Sequence, residues 1–371
     1  MKKIGFLVTF LIIVKVFGQR EMVFFGSYNW DKNTEGLYVY ELNNDTGKLT
    51  KITSAKNIVN PSYITVSKNG KYVYTVSDSK IENAGSVSSF EFNLENKSLE
   101  FLNSQKSGGE NPVYVTVHEN GKWLVNANYT EAGISVYPLL ENGKIDSIRQ
   151  LLKFTEGSAN PKRQEKAHVH SVVFSPYYQS LISADLGADK IRFYPFANLA
   201  EQPLDEKNSI EFNTVPGSGP RHLIYSKNGK FIYSIEEMAG EISVYDFSGN
   251  GLNTYRISTH LPEIKEGFES SDIHISPDEK FLYATNRGKE NNIAIFKIKE
   301  NGSLENIGYQ TTHGKHPRTF AISETGKFLI VANTASNKAV VFRRNSETGL
   351  LKKVGKVKIE SVSSVKTKIY Q

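Results

Sequence analysis

Short apolar strands separated by turn residues recur along the chain. Pro61–Asp78, Pro112–Tyr129 and Pro220–Glu237 each contain an apolar strand, a tight turn with Asn-Gly-Lys, and a second strand rich in Tyr, Val and Ile. Related segments begin at His168 and Pro317, so the unit returns about every 50 residues. Strands of this composition with Gly and Asn turns predict a series of β-hairpins.

Each unit continues beyond its hairpin. A third strand such as Gly133–Leu139 or Asn292–Ile298 follows, and then a weaker fourth strand. No stretch after residue 18 shows helical periodicity over three turns. Four antiparallel strands in a unit of about 50 residues are typical of a β-propeller blade. The pattern therefore predicts an all-β chain.

The two ends of the chain decide the number of blades. Six complete units are present, and before them Val23–Tyr28, Gly36–Leu42 and Lys48–Ile52 provide the second, third and fourth strands of one more. The tail Ser361–Ile369 is a spare strand. If it pairs with Val23–Tyr28, the ring closes at seven blades and no sheet edge is left exposed. Six blades with a decorating hairpin are the alternative.

The N-terminus has the layout of a secretory signal peptide. Lys2 and Lys3 precede the apolar run Ile4–Phe17, and Gly18 provides a small residue before Gln19. A membrane anchor is the alternative, but the run is shorter than the roughly 20 residues that a span needs. We therefore expect a leader at residues 1–18, a propeller at 19–371, and export to the periplasm or the cell exterior. No later segment is long and apolar enough to span a bilayer.

Composition narrows the ligand class. The chain has no cysteine, which excludes disulfides and thiolate metal sites. Its net charge is +6, and its lysines are scattered rather than clustered with arginines into a stripe. This pattern favours a small anionic ligand over nucleic acid. The oligomeric state is left open.

Polar residues interrupt the apolar strands mainly in the last four units, at unit starts or after second strands. They are His168, His170, Asp185, Arg221, His222, Glu237, Asp272, His274, Arg287, His316 and Arg318. In a propeller, these positions meet at one mouth of the central channel. Because burying several cations together is costly, an anionic ligand or transition state is their expected partner.

Several of these segments resemble one family. His170–Pro176, Gly219–Met238, Asp272–Arg287 and Pro317–Asn333 are similar to the lactonase propellers, which include bacterial 6-phosphogluconolactonases. Fungal carboxy-muconate lactonising enzymes are similar propellers. Thr334 and the leader depart from the family pattern. The resemblance implies a seven-bladed fold. It also implies a site containing His170, Arg221, His222, Glu237, Arg287 and Arg318. The excess of arginines over carboxylates at the mouth argues against a divalent cation, and we expect no cofactor.

The chemistry of a lactone assigns roles to these residues. Hydrolysis of this cyclic ester needs a base that activates water, and His170 and Glu237 are the two candidates. Arg221 and Arg287 would face the developing oxyanion. Arg318 would hold a carboxylate or phosphate through its planar fork. The remaining expected substrate-binding residues are His168, His222 and His274.

Three functions are compatible with this pattern. The first is an exported hydrolase of a sugar lactone or a similar anionic cyclic ester. The second is a non-catalytic propeller that binds a ligand or protein, because the fold alone does not decide function. The third is a lactonising isomerase that closes a ring. The concentrated His, Arg and Glu set favours an enzyme.

Overall fold

The computed structural model describes residues 19–77, 85–246 and 253–371. Seven four-stranded antiparallel sheets make up this part of the chain. The signal peptide expected at residues 1–18 lies outside the described residues.

The sheets are numbered as blades in chain order. Blade 1 contains β1 (Arg20–Ser27), β2 (Leu37–Leu42), β3 (Leu49–Ala55) and the C-terminal β28 (Val362–Tyr370). Blade 2 contains β4 (Pro61–Val66), β5 (Tyr72–Ser77), β6 (Ser86–Asn93) and β7 (Ser98–Lys106). Blade 3 contains β8 (Pro112–Val117), β9 (Trp123–Asn128), β10 (Gly133–Pro138) and β11 (Gln150–Lys153). Blade 4 contains β12 (Val169–Phe174), β13 (Ser180–Asp185), β14 (Lys190–Pro195) and β15 (Ile210–Asn213).

The last three blades follow the same order. Blade 5 contains β16 (Pro220–Tyr225), β17 (Phe231–Glu236), β18 (Glu241–Asp246) and β19 (Asn253–Ser258). Blade 6 contains β20 (Ser270–Ile275), β21 (Phe281–Asn286), β22 (Asn292–Ile298) and β23 (Leu304–Thr311). Blade 7 contains β24 (Pro317–Ile322), β25 (Phe328–Asn333), β26 (Lys338–Arg344) and β27 (Leu351–Lys358).

The predicted closure of the ring is confirmed. β28 pairs antiparallel with β1 from Arg20 opposite Tyr370 to Ser27 opposite Val362, and β2 covers the other edge of β1. The alternative with six blades is therefore wrong. Within the described ranges, the only helical element is a 3-10 turn at Thr334–Ser336.

One strand of each sheet lies innermost, which is the first in chain order in blades 2 to 7 and β28 in blade 1. β4, β8, β12, β16, β20, β24 and β28 each contact the next in this order, and β28 contacts β4. The apolar core lies between neighbouring blades. For example, Phe231 and Tyr233 of blade 5 share a buried cluster with Leu282 and Phe296 of blade 6. Every blade is thus held by both of its neighbours.

A glycine–aromatic contact recurs at four blade junctions. A glycine with positive φ in the turn before the fourth strand lies against an aromatic ring of a neighbouring blade. The pairs are Gly47 with Phe328, Gly143 with Tyr72, Gly302 with Phe231, and Gly349 with Phe281. Each glycine meets two requirements, because the turn needs a left-handed backbone and the ring leaves no room for a Cβ atom.

We predict that Gly302→Ala destabilises the fold more than Gly121→Ala does. Gly302 has φ +77° and a Cβ atom there would lie 2.5 Å from Phe231, whereas Gly121 has φ +69° with nothing within 4 Å. Both variants share the backbone strain, so the difference isolates the steric clash, which should cost about 1–3 kcal/mol. Urea unfolding measures it, and equal losses in the two variants would contradict this account of the junction.

Candidate active site

A repeated irregularity of the inner hairpin aims side chains at the mouth of the channel. In blade 5, Pro220 pairs with Glu236 and the next pair joins His222 to Ile235, so the pairing skips Arg221. The strand pairing also leaves out His170 in blade 4 and Arg318 in blade 7. A β-bulge of this kind leaves one residue unpaired and redirects its side chain.

A second repeat position faces the same mouth. It is the residue directly after the second strand of a blade, and it is occupied by Tyr28, Tyr129, Glu237 and Arg287. Because the inner strand begins where its antiparallel neighbour ends, this residue and the bulged residue lie at the same end of the blade. The predicted meeting of unit starts with the loops after second strands is therefore confirmed.

These positions surround a cavity of about 390 Å³. Its lining residues are Tyr28, Trp30, Asn111, Val113, Tyr129, Arg163, His170, Glu237, Arg287 and Arg318. A larger recess of about 700 Å³ lies at the hairpin turns of blades 2 and 3, where Lys68 and Glu119 pair with each other at 2.8 Å. The recess contains none of the candidate histidines or arginines, so the smaller cavity is the candidate site.

Three guanidinium groups converge on Glu237. Arg163 Nη2 lies 2.7 Å from Oε1, and Arg221 Nε and Arg287 Nη2 each lie 2.9 Å from Oε2. Burial opposes ionisation of the carboxyl group, but Arg287, Arg221 and Arg163 together hold the pKa of Glu237 well below its usual range. Glu237 is therefore ionised, and its two carboxylate oxygens pair with three guanidinium groups.

Arg221 is the most deeply buried of these cations, with 1% of its surface exposed. Burial, and then repulsion by Arg287, lower the pKa of Arg221 to about 9. Arg318 adds a fourth guanidinium group at the site, and the one lining carboxylate, Glu237, pairs with only the other three. An anionic ligand would relieve this excess of positive charge.

His170 is neutral in this electrostatic field. Burial, followed by the charges of Arg221 and His222, lowers the pKa of His170 well below 6.5. Its Nδ1 atom is buried, and no residue in the described part of the chain hydrogen-bonds to it. His170 lines the cavity. The imidazole can accept a proton there without first losing one.

Arg318 and Arg163 reach the cavity from its rim. The guanidinium of Arg318 lies 5.5 Å from the ring centroid of Tyr28, a cation–π distance. Arg163 belongs to the long segment between β11 and β12. Two contacts fix that segment, from Ser158 Oγ to Asp189 at 2.6 Å and from Gln164 Nε2 to the carbonyl of Leu186 at 2.9 Å.

Four of the sequence-predicted site residues do not line the cavity. One is Arg221, whose Nε lies 2.9 Å from the lining Glu237, and the other three are histidines. His168 donates from Nδ1 to the carbonyl of Tyr129 at 2.9 Å and stacks on that ring at 4.3 Å, so it supports a lining residue. His222 lies behind His170, with ring centroids 5.2 Å apart. His274 lies deeper still, where it contacts Asp272 at 3.2 Å.

Sequence reasoning missed several lining residues. Tyr28 and Tyr129 hold the same repeat position as Glu237 and Arg287, so aligning the units by that position would have found them. Trp30 and Asn111 lie in flanking loops, and Arg163 comes from a segment that no repeat signal marks.

The described residues contain no cluster of three or more His, Cys, Asp or Glu that could hold a metal ion. No helix in the same part of the chain is long and apolar enough to cross a membrane. The expectations of no metal and no cofactor stay predictions.

Comparison with known proteins identifies the family. The model of the family described as lactonase, 7-bladed β-propeller, matches residues 22–367. The chain belongs to the lactonase family. The resemblance that the sequence motifs indicated is thereby confirmed.

Relatives within the lactonase family match nearly the whole chain. A 6-phosphogluconolactonase of Formosa agariphila is 38% identical over 334 residues, which cover 90% of this chain and 95% of the relative. The crystal structure of a putative 6-phosphogluconolactonase from Bacteroides fragilis is 33% identical, with a TM-score of 0.87 and coverage of 94% and 98% of the two chains. The structure of a periplasmic gluconolactonase from Pseudomonas aeruginosa is 29% identical, with a TM-score of 0.86 and coverage of 94% and 99%.

Adjacent glutamates in this lactonase-family chain point in opposite directions. Glu237 faces the cavity, whereas Glu236 is fully buried within the blade, where its Oε2 accepts from Ser218 Oγ at 3.1 Å. Adjacent residues of a strand point to opposite faces, so only Glu237 reaches the mouth. Burial raises the pKa of Glu236 to about 7. The folded protein therefore favours the protonated form of this carboxyl group.

We predict that the free energy of unfolding falls less in Glu236→Gln than in wild type as the pH rises from about 4.5 to about 7. The folded-state pKa of about 7 lies above the ordinary value of 4.5, so folding holds a proton that the unfolded chain releases as the pH rises. The free energy of unfolding should fall by up to about 3 kcal/mol over this interval through Glu236 alone.

Urea unfolding across this pH range measures the effect as the difference between wild type and variant. Burial also raises the pKa of Glu21 to about 7, so the variant keeps a second slope of the same sign. Parallel pH curves for wild type and Glu236→Gln would contradict the assignment.

Proposed function

We propose that this protein hydrolyses a lactone that carries an anionic group, and that it is 6-phosphogluconolactonase-like. The observation that carries the proposal is a buried, neutral histidine in the wall of one cavity at the propeller mouth. Three guanidinium groups share that wall, and a fourth, that of Arg221, pairs with the lining carboxylate of Glu237. The family supports the reaction class, because relatives with nearly complete coverage are named as 6-phosphogluconolactonases.

The proposed reaction begins with water. His170 takes a proton from the water as its oxygen attacks the lactone carbonyl, and negative charge develops on the carbonyl oxygen. Arg287 and Arg221 stabilise that oxyanion. The intermediate then collapses, the ring C–O bond breaks, and the imidazolium of His170 returns its proton to the departing alkoxide. The acid that forms ionises and releases one proton to solvent.

Glu237 has a different role in this scheme. Its carboxylate accepts from three guanidinium groups, at 2.7 Å from Arg163 and 2.9 Å from both Arg221 and Arg287. Both of its oxygens are thus occupied, whereas Nδ1 of His170 forms no hydrogen bond with any described residue. We therefore assign base catalysis to His170 and assign to Glu237 the placement of the arginines.

A cationic side chain at the rim of the cavity is available to bind the anionic group of the substrate. Arg318 lies over Tyr28 and has no carboxylate partner among the described residues, unlike the arginines around Glu237. Its planar fork suits a carboxylate or a phosphate. We propose that this group of the substrate docks at Arg318 while the lactone carbonyl lies between Arg221, Arg287 and His170.

We further propose that the protein is exported. The composition of residues 1–18 supports this, and a relative with a TM-score of 0.86 is described as periplasmic. Fractionation of expressing cells tests the proposal through the mass of the chain. Export predicts a chain shortened by the leader outside the cytoplasm, and a full-length cytoplasmic chain would contradict it.

We predict that residues 19–371 accelerate opening of 6-phosphoglucono-δ-lactone and glucono-δ-lactone, and that His170→Gln lowers kcat by about 100-fold or more because the base is lost. Proton release, corrected for spontaneous opening, measures the rate. His313→Gln is the matched control, since His313 is exposed and lies outside the cavity.

The outcomes separate the candidate functions. Wild-type kcat in His170→Gln would contradict the role of the base. Turnover absent for both lactones, combined with ring closure of an unsaturated acid, would favour a lactonising isomerase. Ligand binding without turnover in either direction would favour a non-catalytic propeller.

A further inference from the structure

Beneath the cavity lies a second layer of side chains that the proposed reaction does not use. It is formed by the third residues of the inner strands, among them Tyr63, Tyr114, His222 and Asp272, all buried or nearly so. Tyr63 and Tyr114 stack with centroids 4.2 Å apart, and the ring of His222 meets Tyr114 edge-on at 5.3 Å. Aromatic rings thus confine the imidazole on one side.

Asp272 is the anion of this layer. It accepts from His222 Nδ1 at 2.7 Å, from His274 Nε2 at 3.2 Å, and from the backbone N–H groups of Phe320 at 2.9 Å and Ile273 at 3.0 Å. Burial disfavours its charge, but His274 and His222 hold the pKa of Asp272 well below its usual range. The carboxylate is therefore ionised at every pH at which the protein would work.

This carboxylate fixes the tautomer of His222. Since an ionised carboxylate only accepts, the hydrogen of the neutral imidazole is on Nδ1 and the lone pair is on Nε2. The ring is neutral because burial, and then Arg221, lower the pKa of His222 to about 3. Nε2 lies 3.2 Å from Nη1 of Arg221, which donates to it.

The guanidinium of Arg221 is consequently held from two edges. Nε donates to Glu237 at 2.9 Å, and Nη1 donates to His222 and to the backbone carbonyl of Ser271. A guanidinium is planar, with five N–H bonds in fixed directions. Fixing Nε and Nη1 therefore sets the plane of the group and the direction of its remaining N–H bonds.

We propose that Asp272 and His222 are positioning residues, which form a buried hydrogen-bonded chain that orients Arg221 toward the substrate oxyanion. The chain runs from the Asp272 carboxylate through the His222 imidazole to the Arg221 guanidinium, over distances of 2.7 and 3.2 Å. This inference rests on the proposed lactonase activity, because it gives Arg221 a partner in the transition state. Neither positioning residue lines the cavity.

Two substitutions at position 222 break different hydrogen bonds of the buried Asp272–His222–Arg221 chain. In His222→Gln, the side-chain amide oxygen can replace Nε2 as the acceptor for Arg221. In His222→Asn, the shorter amide can reach Asp272 but not Arg221. We expect His222→Gln to keep most of the wild-type kcat on 6-phosphoglucono-δ-lactone. His222→Asn should lower kcat by about tenfold to a hundredfold, the range typical of lost supporting hydrogen bonds, with KM little changed.

Asp272→Asn tests the other end of the chain. The variant keeps the shape of the side chain but loses its charge, so the tautomer of His222 is no longer fixed and kcat should fall as in His222→Asn. Asp278→Asn is the matched control, because Asp278 is an ion-paired aspartate of the same blade that contacts Arg344 at 2.7 Å, away from the mouth. Unchanged kcat in Asp272→Asn, or equal losses of kcat in the two position-222 variants at matched melting temperature, would overturn the proposal.

Proton NMR of the resting protein separates this proposal from the proposed function. A hydrogen between His222 Nδ1 and a carboxylate gives a far-downfield imidazole resonance, which should be present in wild type and lost in His222→Gln and Asp272→Asn. If this resonance is present but the protein does not hydrolyse the lactones, the hydrogen-bonded chain is upheld and the proposed lactonase activity is overturned. If the resonance is absent in wild type, the proposed hydrogen-bonded chain is overturned, whether or not the protein hydrolyses the lactones.

Discussion

The pairing of the first and last strands is the constraint on which the rest of the structure depends. β28 pairs with β1 along its whole length, so the N- and C-terminal segments complete one blade together. Arg318 of blade 7 can lie over Tyr28 of blade 1 only because this pairing brings the two blades side by side. The same closure gives every inner strand two neighbours, and it turns a linear series of hairpins into a cavity with walls on all sides.

The electrostatics of the mouth follow from this geometry. Each arginine comes from a different place in the chain, yet Arg163, Arg221 and Arg287 all reach the one carboxylate of Glu237. Three cations held this closely are stable only with an anion among them, and a fourth at the rim leaves positive charge for a ligand. Burial, followed by the charges of Arg221 and His222, keeps His170 neutral. The arginines thus contribute both to anion affinity and to the protonation state of the histidine.

The sequence predicted the fold well because each blade repeats the same signals. Hairpin turns, strand composition and the spare tail were sufficient for the seven blades and their closure. The site was predicted in part, since repeat positions marked His170, Arg221, Glu237 and Arg318. A place near the start of a unit does not, however, fix how deep in the channel a side chain lies. His222 follows a bulged residue, so it points into the layer below the cavity rather than into its wall.

Other parts of the site had no signal in the sequence. Arg163 lies in a segment without strand pattern, and its approach to Glu237 depends on contacts to Asp189 and Leu186 that only the folded chain shows. The choice between His170 and Glu237 as the base was also beyond the sequence. It depends on how many cations surround Glu237, and these come from the segment between β11 and β12, from the inner strand of blade 5 and from the residue after β21.

The closing blade also brings the start of β1 next to the end of β28. Arg20 is paired with Tyr370 at the end of β1 that is farthest from Tyr28 and the mouth. A short peptide that joined Arg20 to Tyr370 would therefore not cross the site, and new ends could be opened in a turn between two other blades. We expect a circularly permuted gene that joins these two strand ends to encode the same ring around the same cavity.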